Sequence, residues 1–187
     1  MGTVLALPIV WFDGVKTATI ERVKQEDTFP VKATGKAEAE IRLLVENMGC
    51  INYGSHIYDK KGIPGVALGN MQHLFGWEMH CLPMDDLDKL VFTEKGVLDT
   101  DNPTFLCGEF SVDEHYDTFV EIVGGKKGFV TVNGFNLGRY FNMSTPQKTL
   151  YVPSAILKKG VNEIVIFESD GTNDAVYAEF SDVPKLS

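Results

Sequence analysis

Asn133, Asn136, Arg139 and Tyr140 lie within eight residues and together carry polar and aromatic chemistry. Two amides and a guanidinium can donate hydrogen bonds to vicinal hydroxyls, and Tyr140 or Phe141 offers a ring face for a sugar to stack on. The same residues have a structural reading, which is the stronger. Asn133–Gly134 makes a tight turn, Gly138 permits a bulge, and Arg139 pairs within a β-sandwich. Asp85–Asp86–Leu87–Asp88 offers carboxylate oxygens. It lacks the alternate spacing and glycine of a calcium loop and reads as a solvated linker. The three cysteines, Cys50, Cys81 and Cys107, are widely spaced and include no Cys-x-x-Cys pair. They suit neither a disulfide framework nor a zinc site and read as reduced, partly buried thiols. That reading favours a cytoplasmic over a secreted chain. His56, His73 and His80 share no ligand spacing. No metal site and no cofactor are expected.

The elements that must position these residues form a near-repeat. Val10–Trp11–Phe12–Asp13–Gly14 runs through Phe29–Pro30–Val31 to Ile41–Arg42–Leu43–Leu44–Val45–Glu46–Asn47. Val130–Thr131–Val132–Asn133–Gly134 runs through Tyr151–Val152–Pro153 to Ile164–Val165–Ile166–Phe167–Glu168–Ser169. The offset is 133 − 13 = 120 at the turn and 168 − 46 = 122 when Glu46 is set against Glu168. These are two copies of one strand–turn–strand unit. Apolar alternation predicts strands over most of the chain, with 164–167 covered on both faces. Asp13–Gly14 and Asn133–Gly134, between such runs, predict type I′ hairpins. Pro153–Leu157 can make one helical turn. Short strands joined by glycine-rich turns indicate an all-β sandwich or jelly roll.

The second copy is preceded by a strand-like stretch from Phe105 to Val123, whereas nine residues precede Val10. The chain therefore reads as the tail of a longer protein. Domains are expected at 1–84 and 85–187, with Gly76–Trp77–Glu78–Met79–His80 as the last strand of the first and Trp77 as a core plug, the alternative being an interface aromatic. At 187 residues and 44% hydrophobic, the chain can bury a core as one domain or two. A net charge of −9 argues against nucleic acid and against an anionic membrane surface. No apolar run is long enough to span a bilayer.

Leu44–Val45–Glu46–Asn47–Met48–Gly49–Cys50–Ile51–Asn52–Tyr53–Gly54 closely resembles a stretch that follows the catalytic barrel of family 35 glycoside hydrolases, the β-galactosidases. Lys61–Gly62–Ile63 and Gly76–Trp77–Glu78 follow in that family's order. The run from Gly128 to Asn142 is similar to the signature of its last β-domain, and 146–153 and 162–168 extend the likeness. The resemblance covers about Val10 to Gly171. It implies two galactose-binding-like jelly-roll sandwiches in tandem, the first truncated at its N-terminus, behind a (β/α)₈ barrel. A retaining glycosidase needs two carboxyl groups about 5 Å apart at the ends of barrel strands, and a barrel takes about 250 residues. Both glutamates would lie upstream, so the chain alone is not expected to hydrolyse galactosides.

The resemblance also places Tyr53 where the first β-domain leans over the mouth of the barrel. There its ring would stack on a pyranose and its hydroxyl orient it. Asn47 and Asn52 would brace that loop through side-chain-to-backbone bonds. Cys50 stands where the family pattern has arginine, which removes donors from the loop. Gly124–Gly125–Lys126–Lys127–Gly128 lacks the tryptophan that the family often carries there, which weakens Asn136, Arg139 and Tyr140 as sugar contacts. The leading expectation is the non-catalytic C-terminal part of a β-galactosidase, shaping the active-site rim and supporting the barrel. The alternatives are a free-standing galactoside-binding module, which requires an aromatic cluster on one sheet face, and a residual truncated gene product. The partners implied are an upstream barrel in cis or in trans, a β-galactoside and a second copy of the chain, with no nucleic acid and no membrane.

Overall fold

Positive φ at two successive residues selects a turn whose twist matches the strands it joins. Asp13 and Gly14 have φ of 49° and 81°, and Asn133 and Gly134 have 49° and 79°. Both predicted type I′ hairpins are therefore present. A computed structural model of the chain describes residues 7–20, 28–32, 35, 38–47, 49, 52–55, 57–58, 61–69, 71–93, 101–143, 146–172 and 174–186. Its strands are β1 (Leu7–Phe12), β2 (Val15–Thr19), β3 (Ile41–Glu46), β4 (Ala67–Leu68), β5 (Gln72–His73) and β6 (Thr104–Val112). They continue with β7 (Thr118–Val123), β8 (Lys127–Val132), β9 (Phe135–Phe141), β10 (Thr149–Val152), β11 (Gly160–Glu168) and β12 (Tyr177–Ser181). A single 3₁₀ turn, Ser154–Ile156, is the helical element among the described residues. The chain is all-β. It divides into two units, Met1–Cys81 and Leu82–Ser187.

The second unit is a two-layer antiparallel sandwich. One sheet has the order β6-β11-β8-β9 and the other β10-β7-β12. Alternation along each strand sends one residue set into the space between the sheets. Val120 and Ile122 of β7 and Val152 of β10 meet Val130, Val132, Tyr140, Ile164 and Ile166 of the larger sheet there. Each fully buried aliphatic of this set stabilises the fold by about 1.5–3 kcal/mol. Val165 is buried on the opposite face of the same sheet, so β11 is covered on both sides.

The first unit has one sheet, ordered β2-β1-β3, and a β4-β5 ribbon. Its three strands reproduce β9-β8-β11. The β1–β2 ladder is bulged between Val10 and Trp11, and the β8–β9 ladder between Val130 and Thr131, the same place in the repeat. The turn residue is held alike in both. Asp13 N–H donates to Glu40 O at 2.8 Å and Glu40 N–H to Asp13 Oδ1 at 2.8 Å. Asn133 N–H donates to Glu163 O at 3.0 Å and Glu163 N–H to Asn133 Oδ1 at 3.1 Å.

Register corrects the sequence alignment by one residue. Phe12 faces Ile41 and Val132 faces Ile164, so the third strands are offset by 164 − 41 = 123. Glu46 thus matches Ser169, and Glu168 matches Val45. A one-residue slip exchanges the two faces of a strand. Three further expectations are also corrected. Residues 74–80 form no strand, and Trp77, 36% exposed, is no core residue among the described residues; its Nε1–H donates to Leu74 O at 3.1 Å. Residues 28–32 form no strand either, whereas β10, their supposed counterpart, pairs with β7.

Candidate functional site

The β8–β9 hairpin separates the four polar candidates onto two faces. Gly128 faces Tyr140, Phe129 faces Arg139, and Thr131 faces Asn136. Directly opposed residues share a face. Tyr140 therefore points between the sheets, where it is 4% exposed and packs in the core. Its hydroxyl donates to Glu168 Oε2 at 2.9 Å. Burial, then the neighbouring Glu168 carboxylate, pushes its phenol far above the ordinary tyrosine range. Tyr140 as a sugar contact is thus corrected: the ring has no face for a ligand. The Asn133 side chain is equally committed, with Nδ2–H groups donating to Ile156 O and Asn162 Oδ1, each at 2.8 Å.

Asn136 and Arg139 are exposed on the outer face of the four-stranded sheet. Asn136 Oδ1 accepts from Gly138 N–H at 2.8 Å, and Arg139 has interactions of its own. A row of three half-buried rings crosses that same face. Phe167 lies between Phe105 and Phe129, with centroids 4.6 Å and 5.3 Å away. Register builds this row, because Phe167 of β11 is opposite Phe105 of β6 and Phe129 of β8. It is the aromatic cluster on one sheet face that a sugar-binding reading requires. Cys107 is on this sheet too. It is exposed, as is Cys81, so neither is the partly buried thiol expected; both are free. Partial desolvation at the sheet surface, then Glu163, raises the Cys107 thiol above its usual range.

Glu168, at the end of β11, is fully buried. Its Oε2 accepts from Lys126 N–H at 2.7 Å and from Tyr140 Oη–H, and its Oε1 accepts from Asp170 N–H at 3.0 Å. Close backbone approach makes this cradle. A Cβ on Gly128 would lie 1.6 Å from Phe167 O, and one on Gly125 would lie 3.0 Å from Glu168 Oε2. The glycine-rich run before β8 is the sequence signal for it. All three donors are internal, so the carboxylate ties loops together and is not aimed at solvent.

A groove of about 360 Å³ lies in the second unit, lined by Phe110, Phe180, Leu157, Tyr116, Asp117 and Asp182 among others. The Phe110 and Phe180 rings are 4.4 Å apart. Asp117 Oδ1 accepts from Ser154 N–H at 2.8 Å, which holds its carboxyl below the usual range. Apolar ring faces beside carboxylate acceptors suit a polyhydroxylated ligand.

In the first unit, Tyr53 is 87% exposed beside Gly54, whose φ of 87° sets the turn. Asn47 Oδ1 accepts from Gly49 N–H at 2.9 Å, and Asn52 is exposed. Cys50 and His56 lie outside the described residues. Among the described residues, no three His, Cys, Asp or Glu side chains gather as a metal site needs, and no helix is long and apolar enough to cross a membrane.

Residues 2–84 match the family described as beta-galactosidase, first all-beta domain, and residues 103–162 match beta-galactosidase, galactose-binding domain. This chain belongs to the β-galactosidase family. Its resemblance is to the β-domains of that family. It is 37% identical to a beta-galactosidase of Bos taurus over 92% of this chain and 30% of that protein. It is 38% identical to a beta-galactosidase of Mus musculus over 82% of the chain and 28% of that protein. Beta-galactosidase 17 of Arabidopsis thaliana is 40% identical over 67% of the chain and 21% of its own length. The chain thus spans about three-tenths or less of the β-galactosidases it matches.

Proposed function

We propose that this chain is the non-catalytic β-domain part of a β-galactosidase, a glycoside hydrolase acting on terminal β-galactosyl residues. Its β-domains support a (β/α)₈ barrel, and the Tyr53 loop forms part of the active-site rim. The observation that carries this reading is that the matches fall on two β-domain families while every described element but one 3₁₀ turn is a strand. Acid/base and nucleophilic carboxyls for glycoside hydrolysis belong at the strand ends of a barrel, which this fold does not contain among the described residues. Tyr53 suits a rim role because its ring is presented to solvent on a turn held by Gly54.

A second reading, a galactoside-binding module, is favoured by the groove at Phe110 and Phe180 and by the Phe105–Phe167–Phe129 row. Titration of the chain with galactose and methyl β-galactoside, followed by amide chemical shifts, separates the two. Shifts that saturate and map to either aromatic feature support the module. No shift up to tens of millimolar leaves the non-catalytic, barrel-supporting reading.

A further inference from the structure

The Phe110–Phe180 groove closes one flank of the second unit. Phe110 is on β6 and Phe180 on β12, the edge strands, among the described residues, of the two facing sheets. Phe110 is opposite buried Asn162 and Phe180 opposite buried Val120, so both rings turn toward the space between the sheets. Their centroids are 4.4 Å apart, and buried Leu157 completes the apolar floor. Glu114, Asp117 and Asp182 also line the groove and are exposed, which gives that floor a rim of carboxylates.

Among the described residues, no lysine, arginine or histidine lines the groove, so the three carboxylates have no basic side chain beside them there. Lys158 and Lys159 follow Leu157 in the chain without lining it, and Lys185, beyond Asp182, is paired with Glu121 and Glu179. Donors are scarce as well. Tyr116 Oη–H donates to Glu114, and Thr118 Oγ1–H to Ser181 O at 2.8 Å. That leaves the Ser111 hydroxyl as the one side-chain donor among the described lining residues. A neutral sugar can donate to the rim, but its own oxygens also need donors. A ligand made of donors alone matches this lining better.

Floor and rim together select the ion. A guanidinium has two weakly hydrated faces that lie on aromatic rings, and five N–H groups directed outward in its plane. Seated on Phe180, which is 37% exposed, it turns that edge to the rim, where carboxylates accept paired N–H groups. An ammonium is a compact, strongly hydrated point charge and gains less from the rings. At about 360 Å³ the groove is near the lower end of the roughly 300–1,000 Å³ of small-molecule sites, which suits a single long side chain. Free arginine would bring its own carboxylate to this acidic rim, whereas an arginine inside a polypeptide has none.

We propose that the Phe110–Phe180 groove receives one arginine side chain of a basic polypeptide partner, with the guanidinium stacked on the rings and its N–H groups bonded to the rim carboxylates. The inference is independent of the barrel-supporting reading, and it replaces a galactoside at this groove alone.

Amide chemical shifts of the full chain, titrated at low salt with Nα-acetyl-arginine amide, test this. Saturable shifts at millimolar concentration are expected at 110–118 and 180–182, which contain most of the lining. The neutral isostere Nα-acetyl-citrulline amide is expected to bind at least about tenfold more weakly, and Nα-acetyl-lysine amide and free arginine at least about threefold. Asp182→Asn changes an exposed side chain, and Phe180→Leu keeps an apolar group on the core. Each is expected to weaken binding at least about threefold with circular dichroism unchanged. The proposal is overturned if the arginine probe gives no saturable shift up to tens of millimolar, or if its shifts map outside the groove. It is also overturned if the citrulline probe, the lysine probe or free arginine binds as tightly, or if neither variant weakens binding. Methyl β-galactoside shifting these amides while the arginine probe does not would likewise overturn it, and would return the groove to the galactoside reading.

Discussion

Removing the Glu168 carboxylate tests whether this buried acid holds the second unit together. In Glu168→Ala, Lys126 N–H and Asp170 N–H lose their acceptor, and Tyr140 Oη–H keeps only Phe167 O at 3.3 Å. A buried donor left unsatisfied costs about 1–3 kcal/mol, so the two backbone N–H groups cost about 2–6 kcal/mol. That is a large share of the roughly 5–15 kcal/mol that stabilises a domain. Glu168→Gln is predicted to be milder. Its amide oxygen can take the Oε2 position, keeping Lys126 and Tyr140 as donors and sacrificing only Asp170 N–H, at about 1–3 kcal/mol. Urea unfolding followed by far-ultraviolet circular dichroism measures both. Trp11 and Trp77, the two tryptophans, lie in the first unit, so their fluorescence is an internal control expected not to move. The reasoning is refuted if Glu168→Ala costs under about 1 kcal/mol, or if glutamine is as damaging as alanine.

Tyr140 has a folded-state pKa raised above the unfolded value of about 10, so its stabilising contribution is complete below that pH and is lost as pH rises beyond it. The urea midpoint should fall between pH 9 and 11 (roughly, from the reference tyrosine value), and Tyr140→Phe should flatten the fall. Gly128→Ala would put a Cβ 1.6 Å from Phe167 O and should destabilise the second unit by at least about 3 kcal/mol in the same assay. Gly134→Ala meets nothing within 4 Å; its φ of 79° is the sole obstacle, and the cost should be about 1–2 kcal/mol. Tyr53→Ala should leave the fluorescence-detected midpoint of the first unit unchanged, because the ring is solvated.

Local chemistry made much of the fold legible. Asp13–Gly14 and Asn133–Gly134 specify their hairpins because few residues accept positive φ at both central positions. The repeat was visible for the same reason, since each copy carries its turn signal between apolar alternating strands. Features that depend on register between distant strands were not. Phe105, Phe129 and Phe167 come from three strands and meet only when β6, β11 and β8 are in place. Alternation puts Glu168 on the inward face with Ile164 and Ile166, but the backbone donors that satisfy its charge there come from loops whose approach depends on Gly125 and Gly128. Tyr140 sits one position from exposed Arg139, and its role turns on which face the bulge assigns to it. A tryptophan suits a core or an interface equally, and with no strand at 74–80 nothing draws Trp77 into the core.

The central claim is that this chain supports catalysis without performing it. Incubation of the purified full chain with p-nitrophenyl β-galactoside across pH 4–8 (about the range in which glycosidase carboxyls work) tests it directly. The account predicts release of p-nitrophenol at the rate of the buffer blank. Release that scales with chain concentration and persists through a second purification step would contradict it.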